Sequence, residues 1–176
     1  MSALHAGDPA AFAVDVLDEG PAELEFVPGV ASSRPTKTCA GGALIRDSAG
    51  RVLFVVPAYK TVLDIPGGMT EDNESPKAAT IREIREELGL DVELGPLLVV
   101  DWTPRNGVWR DCHQFVFDGG VVNGAVAHDP ELSGVAYLTL DEAKPKIYPS
   151  LHRRLTLAVA ALESGSARYA EFGREV

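Results

Sequence analysis

The 176-residue chain predicts an α/β domain in which a mixed β-sheet packs between helices. Three features of the sequence predict it. Short apolar runs recur between clusters of Gly, Pro, Asn and Asp, the pattern of strands and turns. One segment, Ser75 to Gly89, carries helix-start and helix-stop residues around a single apolar face. A second apolar stripe at helical spacing, Leu151, Leu155, Val159 and Leu162, lies near the end.

Residues 1–35 read as a lead-in of mixed Ala, Pro, Gly and acidic residues, with one short strand expected at Leu24 to Val27. The domain itself is expected over residues 36–176. Thr38 to Arg46 and Arg51 to Val56 are apolar runs joined by Asp47-Ser48-Ala49-Gly50, which predicts a hairpin. Val62 to Ile65 reads as a short strand running into Pro66-Gly67-Gly68. In the helix that follows, Ser75 is a natural N-cap and Pro76 fits the first position, where no backbone N–H is needed. Gly89 suits the left-handed residue that ends it. Leu97 to Trp102, Cys112 to Phe117 and Val135 to Leu140 read as strands. Pro149 or Ser150 starts the closing helix, and Gly165 ends it.

Composition narrows the function. The formal net charge is −10 and the isoelectric point about 4.8. Such a surface repels nucleic-acid backbones and anionic membranes, so neither is an expected partner. It also repels a phosphate-bearing small molecule unless cations intervene. The two cysteines, Cys39 and Cys112, belong to no Cys/His ligand cluster and read as reduced, buried thiols. Met1 to Val14 lacks the basic and apolar runs of a signal peptide, and no later run is long enough to span a bilayer. A cytoplasmic protein is expected, and a homodimer stays open.

The stretch from Gly68 to Leu90 carries the chemistry. Glu83, Glu86 and Glu87 stand at i, i+3 and i+4, so their carboxylates share one helical face. Ala78, Ile81, Ile84 and Leu88 fall on the opposite face, which can bury against the sheet. Clustered like charges destabilise a bare helix by roughly 0.2–0.5 kcal/mol per pair. A hard divalent cation, Mg²⁺ or Mn²⁺, offsets that repulsion. A Glu-Glu pair alone would mark only a solvated face.

The surrounding pattern says more. Gly68 is followed after five residues by Glu74, and seven residues later come Arg82-Glu83, Ile84, Arg85, Glu86-Glu87, Leu88, Gly89 and Leu90. This resembles the Nudix hydrolase signature G-x5-E-x7-R-E-U-x-E-E-x-G-U at every defined position. The resemblance implies an α/β/α sandwich over about Thr38 to Leu162 and hydrolysis of a phosphoanhydride in a nucleoside-diphosphate-linked compound. It implies metal ligation by Glu83, Glu86 and Glu87, with the Gly68 carbonyl as a further ligand. Such ions would neutralise the diphosphate and acidify a water, whose proton a nearby carboxylate would accept. Arg82 stays protonated and cannot be that base; it is expected to orient a glutamate, with Glu74 as its ion-pair partner.

Outside the signature, Glu131 lies in an acidic loop with Asp129, a loop from which family members supply a base. Trp102 and Trp109 could stack on a nucleobase or simply pack. Arg105 and Arg110 could meet phosphates or remain solvated. Pro104 resembles a proline that marks the ADP-ribose branch, which favours ADP-ribose-like compounds narrowly over nucleoside triphosphates. Two rival readings remain: a catalytically inactive nucleotide-binding module, whose relatives usually have eroded signatures, and an isoprenoid diphosphate isomerase, for which Cys39 or Cys112 would serve only loosely.

Overall fold

The computed structural model describes residues 20–21 and 23–176. The expectation for Met1 to Val14, and the first part of the lead-in, lie outside those residues. The strands are β1 (Thr38–Arg46), β2 (Val52–Pro57), β3 (Gly67–Met69), β4 (Leu97–Thr103), β5 (Cys112–Val121), β6 (Leu132–Leu138), β7 (Arg168–Glu171) and β8 (Arg174–Glu175). The helices are α1 (Pro76–Leu88), the short α2 (Leu140–Ala143), a 3₁₀ turn (Lys144–Lys146) and α3 (Pro149–Ser164).

One mixed sheet orders its strands β6-β2-β1-β5-β4-β7-β8, and β3 pairs with the first half of β1. β1 runs parallel to β5, and β4 parallel to β7; the remaining pairs are antiparallel. Side chains alternate across the sheet as the two-residue period requires. Ala43, Ile45, Leu53 and Val55 pack on one side with Ile84 and Leu88 of α1. Leu44, Val52 and Phe54 pack on the other with Leu151 and Leu155 of α3. The expected α/β/α sandwich is the observed architecture.

Local chemistry explains the elements. Asp47 shapes the β1–β2 turn by accepting hydrogen bonds from the amides of Ala49 and Arg51. Ser75 caps α1 by accepting from the Ala78 amide at 3.2 Å, a contact of the kind that contributes about 1 kcal/mol. Gly89 closes α1 with φ 65° and an amide that donates to the Arg85 carbonyl. Leu151, Arg154, Leu155, Ala158 and Ala161 form the buried stripe of α3, with Val159 and Leu162 packed beside it.

Three sequence expectations need correction. Leu24 to Val27 is no strand: it is exposed, and Glu25 instead accepts from the Gly29 and Ala31 amides of a following turn. Val62 to Ile65 contributes only one bridge, Asp64 to Val55. The chain then reaches Pro66, which has no N–H to extend a ladder, and pairing resumes one residue later in β3. The strand expected at Val135 to Leu140 starts earlier and ends sooner, because Thr139 caps α2 in a reciprocal box with Glu142. The hairpin β7–β8 was not expected at all. It turns at Phe172 and Gly173, both left-handed with φ 54° and 74°. Among the described residues no helix is long and apolar enough to cross a membrane.

Candidate active site

Two glycines let the loop before α1 lie against its neighbours. Gly67 pairs with β1 at φ 141°, and a Cβ there would come within 2.2 Å of the Gly41 carbonyl oxygen. A Cβ on Gly68 would meet the Glu83 carboxylate at 2.3 Å. The entry loop therefore sits directly on the glutamate face of α1.

Arg82 is the hub of that face. Its Nε donates to Glu74 Oε1 at 2.9 Å and its Nη2 to Glu74 Oε2 at 3.0 Å, a two-pronged pair. Its Nη1 donates to Glu83 Oε1 at 2.9 Å and to Glu86 Oε2 at 3.2 Å. Its Nη2 also reaches the Met69 carbonyl at 3.1 Å. The hydrogen bonds to Glu74 hold Arg82 above its ordinary pKa and Glu74 below its own.

Glu87 points the other way, into an acidic cavity of about 110 Å³. Glu83, Asp64, Asp129 and Glu131 share its lining, with Lys60 as the only cation among its lining residues. Burial pushes the Glu87 carboxyl up to about 8. The Gly67 amide, donating at 3.0 Å, opposes that rise, while the charges of Glu83, Asp64 and Asp129 add to it. Lys60 donates to Asp64 at 2.9 Å. Burial lowers the lysine pKa, but the charge and hydrogen bond of Asp64, together with Tyr59 and Tyr148, outweigh it and the net shift is upward. The loop bearing Asp129 and Glu131 is tied to α1, because the amides of His128 and Asp129 donate to the Glu87 carbonyl at 2.7 and 3.4 Å.

The donor set suits a divalent cation in chemistry: all oxygen, densely anionic and short of internal cations. It is not preassembled. Among the described residues, no three Asp, Glu, His or Cys side chains are already gathered closely enough to hold an ion. Glu83 and Glu86 are instead engaged by Arg82. Glu86 lies outside the cavity lining, its side chain 52% exposed.

A larger cavity of about 510 Å³ adjoins the first, and Asp64 borders both. Trp109 and Arg110 line it. Trp102 and Arg105 do not: Trp102 donates its indole N–H to Asp111 at 3.2 Å, and Arg105 is exposed. Asp64, Lys60, Tyr148 and Arg154 were missed from sequence. Asp64 lies within the short strand expected at Val62 to Ile65 and Lys60 just before it, so neither stood out as a site residue. Arg154 did leave a signal, as a charge on the apolar stripe of α3.

A sandwiched mixed sheet thus carries an arginine-braced glutamate helix beside an acidic cavity. The family model for the NUDIX domain matches residues 36–159, and the chain belongs to the Nudix family as a pyrophosphohydrolase. A MutT-like protein of Streptomyces ambofaciens is 28% identical over 120 residues, 68% of this chain and 75% of the relative. An 8-oxo-dGTP diphosphatase of Proteus vulgaris is 51% identical over 35 residues, 20% of this chain and 31% of the relative. The crystal structure of an ADP-ribose pyrophosphatase from Streptococcus suis 89-1591 shares the fold. Its TM-score is 0.62 at 21% identity, covering 77% of this chain and 99% of that one.

Proposed function

We propose that the chain hydrolyses the phosphoanhydride bond of a nucleoside-diphosphate-linked small molecule, with Mg²⁺ or Mn²⁺ bound. ADP-ribose-like compounds and nucleoside triphosphates are the two substrate classes. One observation carries the reading: five carboxylates line a small cavity with a single lysine, directly beside a pocket large enough for a nucleoside.

Glu83 and Glu87, with Glu86 turning in from outside the cavity lining and the Gly68 carbonyl at the loop, would hold the ions. When bound, the ions supply charge neutralisation for the diphosphate and acidify the attacking water. Arg82 positions Glu83 and Glu86, and Glu74 positions Arg82. Glu131 accepts the proton as the water oxygen bonds to phosphorus. The bridging P–O bond breaks, and its electron pair leaves with the departing phosphate. Trp109 and Arg110, at the larger pocket, contact the nucleoside end.

The names of the similar proteins suggest the first compounds to screen, 8-oxo-dGTP and ADP-ribose. The chain should release nucleoside monophosphate with Mg²⁺ or Mn²⁺ and none in excess chelator. Full turnover in chelator would overturn the metal reading. Absence of turnover on every nucleotide diphosphate compound would overturn the function.

A further inference from the structure

The C-terminal hairpin β7–β8 builds one wall of the larger cavity. Phe172 and Arg174 line it, and both lie beyond residues 36–159, the span that the family model matches. Specific contacts hold the hairpin in place. The Phe172 amide donates to the Trp102 carbonyl at 2.7 Å. The Gly173 amide donates to one oxygen of Asp101 at 2.9 Å, and the other accepts from Arg154 Nε at 2.7 Å. A Cβ on Gly173 would come within 2.6 Å of the Ser150 carbonyl oxygen, so the turn lies directly on the start of α3. Arg153 of α3 donates to the Phe172 carbonyl at 2.6 Å.

That wall makes the cavity basic. Arg110, Arg153, Arg154 and Arg174 line it against one acid, Asp64, in a chain of net charge −10. Arg154 is neutralised by the buried Asp101. The other three are not. Arginines elsewhere, such as Arg46, Arg51 and Arg168, pair with carboxylates. Among the described residues Arg110, Arg153 and Arg174 pair with none. The oxygens that Arg110 and Arg153 do meet are uncharged, the Thr36 hydroxyl and the Phe172 carbonyl.

Guanidiniums gathered without counter-charge repel one another, and an anion among them relieves the repulsion. Phosphate oxygens match the planar N–H fork of arginine. The start of α3 lies on the same wall. Its cap residue, Tyr148, offers no side-chain acceptor, and its first turn holds no acid. The positive end of that helix therefore adds to the arginine field. The neighbouring acidic cavity repels phosphate unless cations occupy it, so the two cavities attract anions by different means.

We propose that Arg153 and Arg174, with Arg110, form a metal-independent site for a phosphate group, either free phosphate or a monoester. This goes beyond the hydrolase reading: it assigns a second anion site, apart from the anhydride that metal ions would hold.

The test is calorimetric titration of the full chain with inorganic phosphate and with ribose 5-phosphate, in metal-depleted chloride buffer at fixed ionic strength. Saturable binding of about one phosphate group is expected. Arg174→Gln should weaken it at least about tenfold, the loss expected for a hydrogen bond to a charged group. Arg105→Gln removes the same charge outside the cavity and should leave the affinity as in wild type. Thermal melting reports whether Arg174→Gln folds. If it does not, Arg110→Gln replaces it and should weaken binding likewise. Ribose 5-phosphate binding at least about tenfold tighter than inorganic phosphate would assign the group to a larger ligand, and equal affinities would assign free phosphate; both support the site. Absence of saturable binding, or equal weakening by Arg105→Gln and the cavity variant, would overturn it. Failure of the hydrolase reading would appear separately, as absent metal-dependent turnover with phosphate binding intact.

Discussion

Arg82 grips Glu74 with two parallel hydrogen bonds of 2.9 and 3.0 Å and donates its remaining N–H groups to Glu83, Glu86 and the Met69 carbonyl. One guanidinium therefore sets the direction of two of the three signature glutamates, and the eight-residue spacing from Glu74 to Arg82 exists to fix that guanidinium. Arg82→Lys keeps the charge and loses the fork. Metal affinity should fall by roughly 10–100-fold, as for other supporting partners of ligands. Circular dichroism should stay as in wild type. A metal titration with unchanged midpoint would leave Arg82 a merely structural residue.

Glu87 gives a prediction with a definite sign. Its folded pKa, about 8, lies above the ordinary carboxyl value of 4.5. Between those values the folded chain holds a proton that the unfolded chain has released, so metal-free stability falls as pH rises. Glu87→Gln removes the effect. The stability gain of this variant over wild type should grow from pH 5 to pH 8 and level off above. Urea unfolding in chelator at several pH values measures it, and a gain independent of pH would contradict the assignment. With metal, Glu87→Gln and Glu86→Gln should each lose roughly a hundredfold in turnover.

Metal binding should also release protons. At pH 7 the Glu87 carboxyl is mostly protonated by its shifted pKa, and a ligand must be deprotonated to bind. Calorimetry of Mg²⁺ or Mn²⁺ binding in buffers of different ionisation enthalpy should show about one proton released. The number should fall towards zero above pH 9. No release at pH 7 would mean that Glu87 does not take part.

Glu131→Gln separates a base from a ligand. If Glu131 accepts the proton of the attacking water, kcat should fall by roughly 10²–10⁴ with metal affinity nearly intact. If it binds metal, extra metal should partly rescue the rate. Turnover equal to wild type at every metal concentration would remove it from the site and return the base role to the helix, with Glu83 next.

Much of this was legible because the signals were local. Ser75, Pro76 and Gly89 mark α1 within fifteen residues, and the Glu74–Arg82 partnership follows from spacing together with the family resemblance. What was not legible depends on distant contacts. Arg168 to Glu175 is short and polar, and it becomes a hairpin only because β7 finds β4 some seventy residues away. Asp64 looked like part of a strand; the structure makes it the wall between two cavities. Arg154 stands on the apolar face between Leu151 and Leu155, a misfit that a search for its counter-charge in the strand holding Asp101 would have explained. Trp102 and Trp109 look equivalent in sequence, but β4 turns Trp102 towards Asp111 and the loop carries Trp109 to the pocket.

The amides of His128 and Asp129 lean on the carbonyl of Glu87, whose side chain enters the acidic cavity. That joint sets the rules for anyone who would re-engineer the substrate range by swapping loops. Insertions around Asn123 and Gly124, both exposed, leave the joint alone and so suit library design. Changing the length between His128 and Glu131 would instead shift the carboxylates of Asp129 and Glu131 out of phase with the helix, and should be left out of any such library.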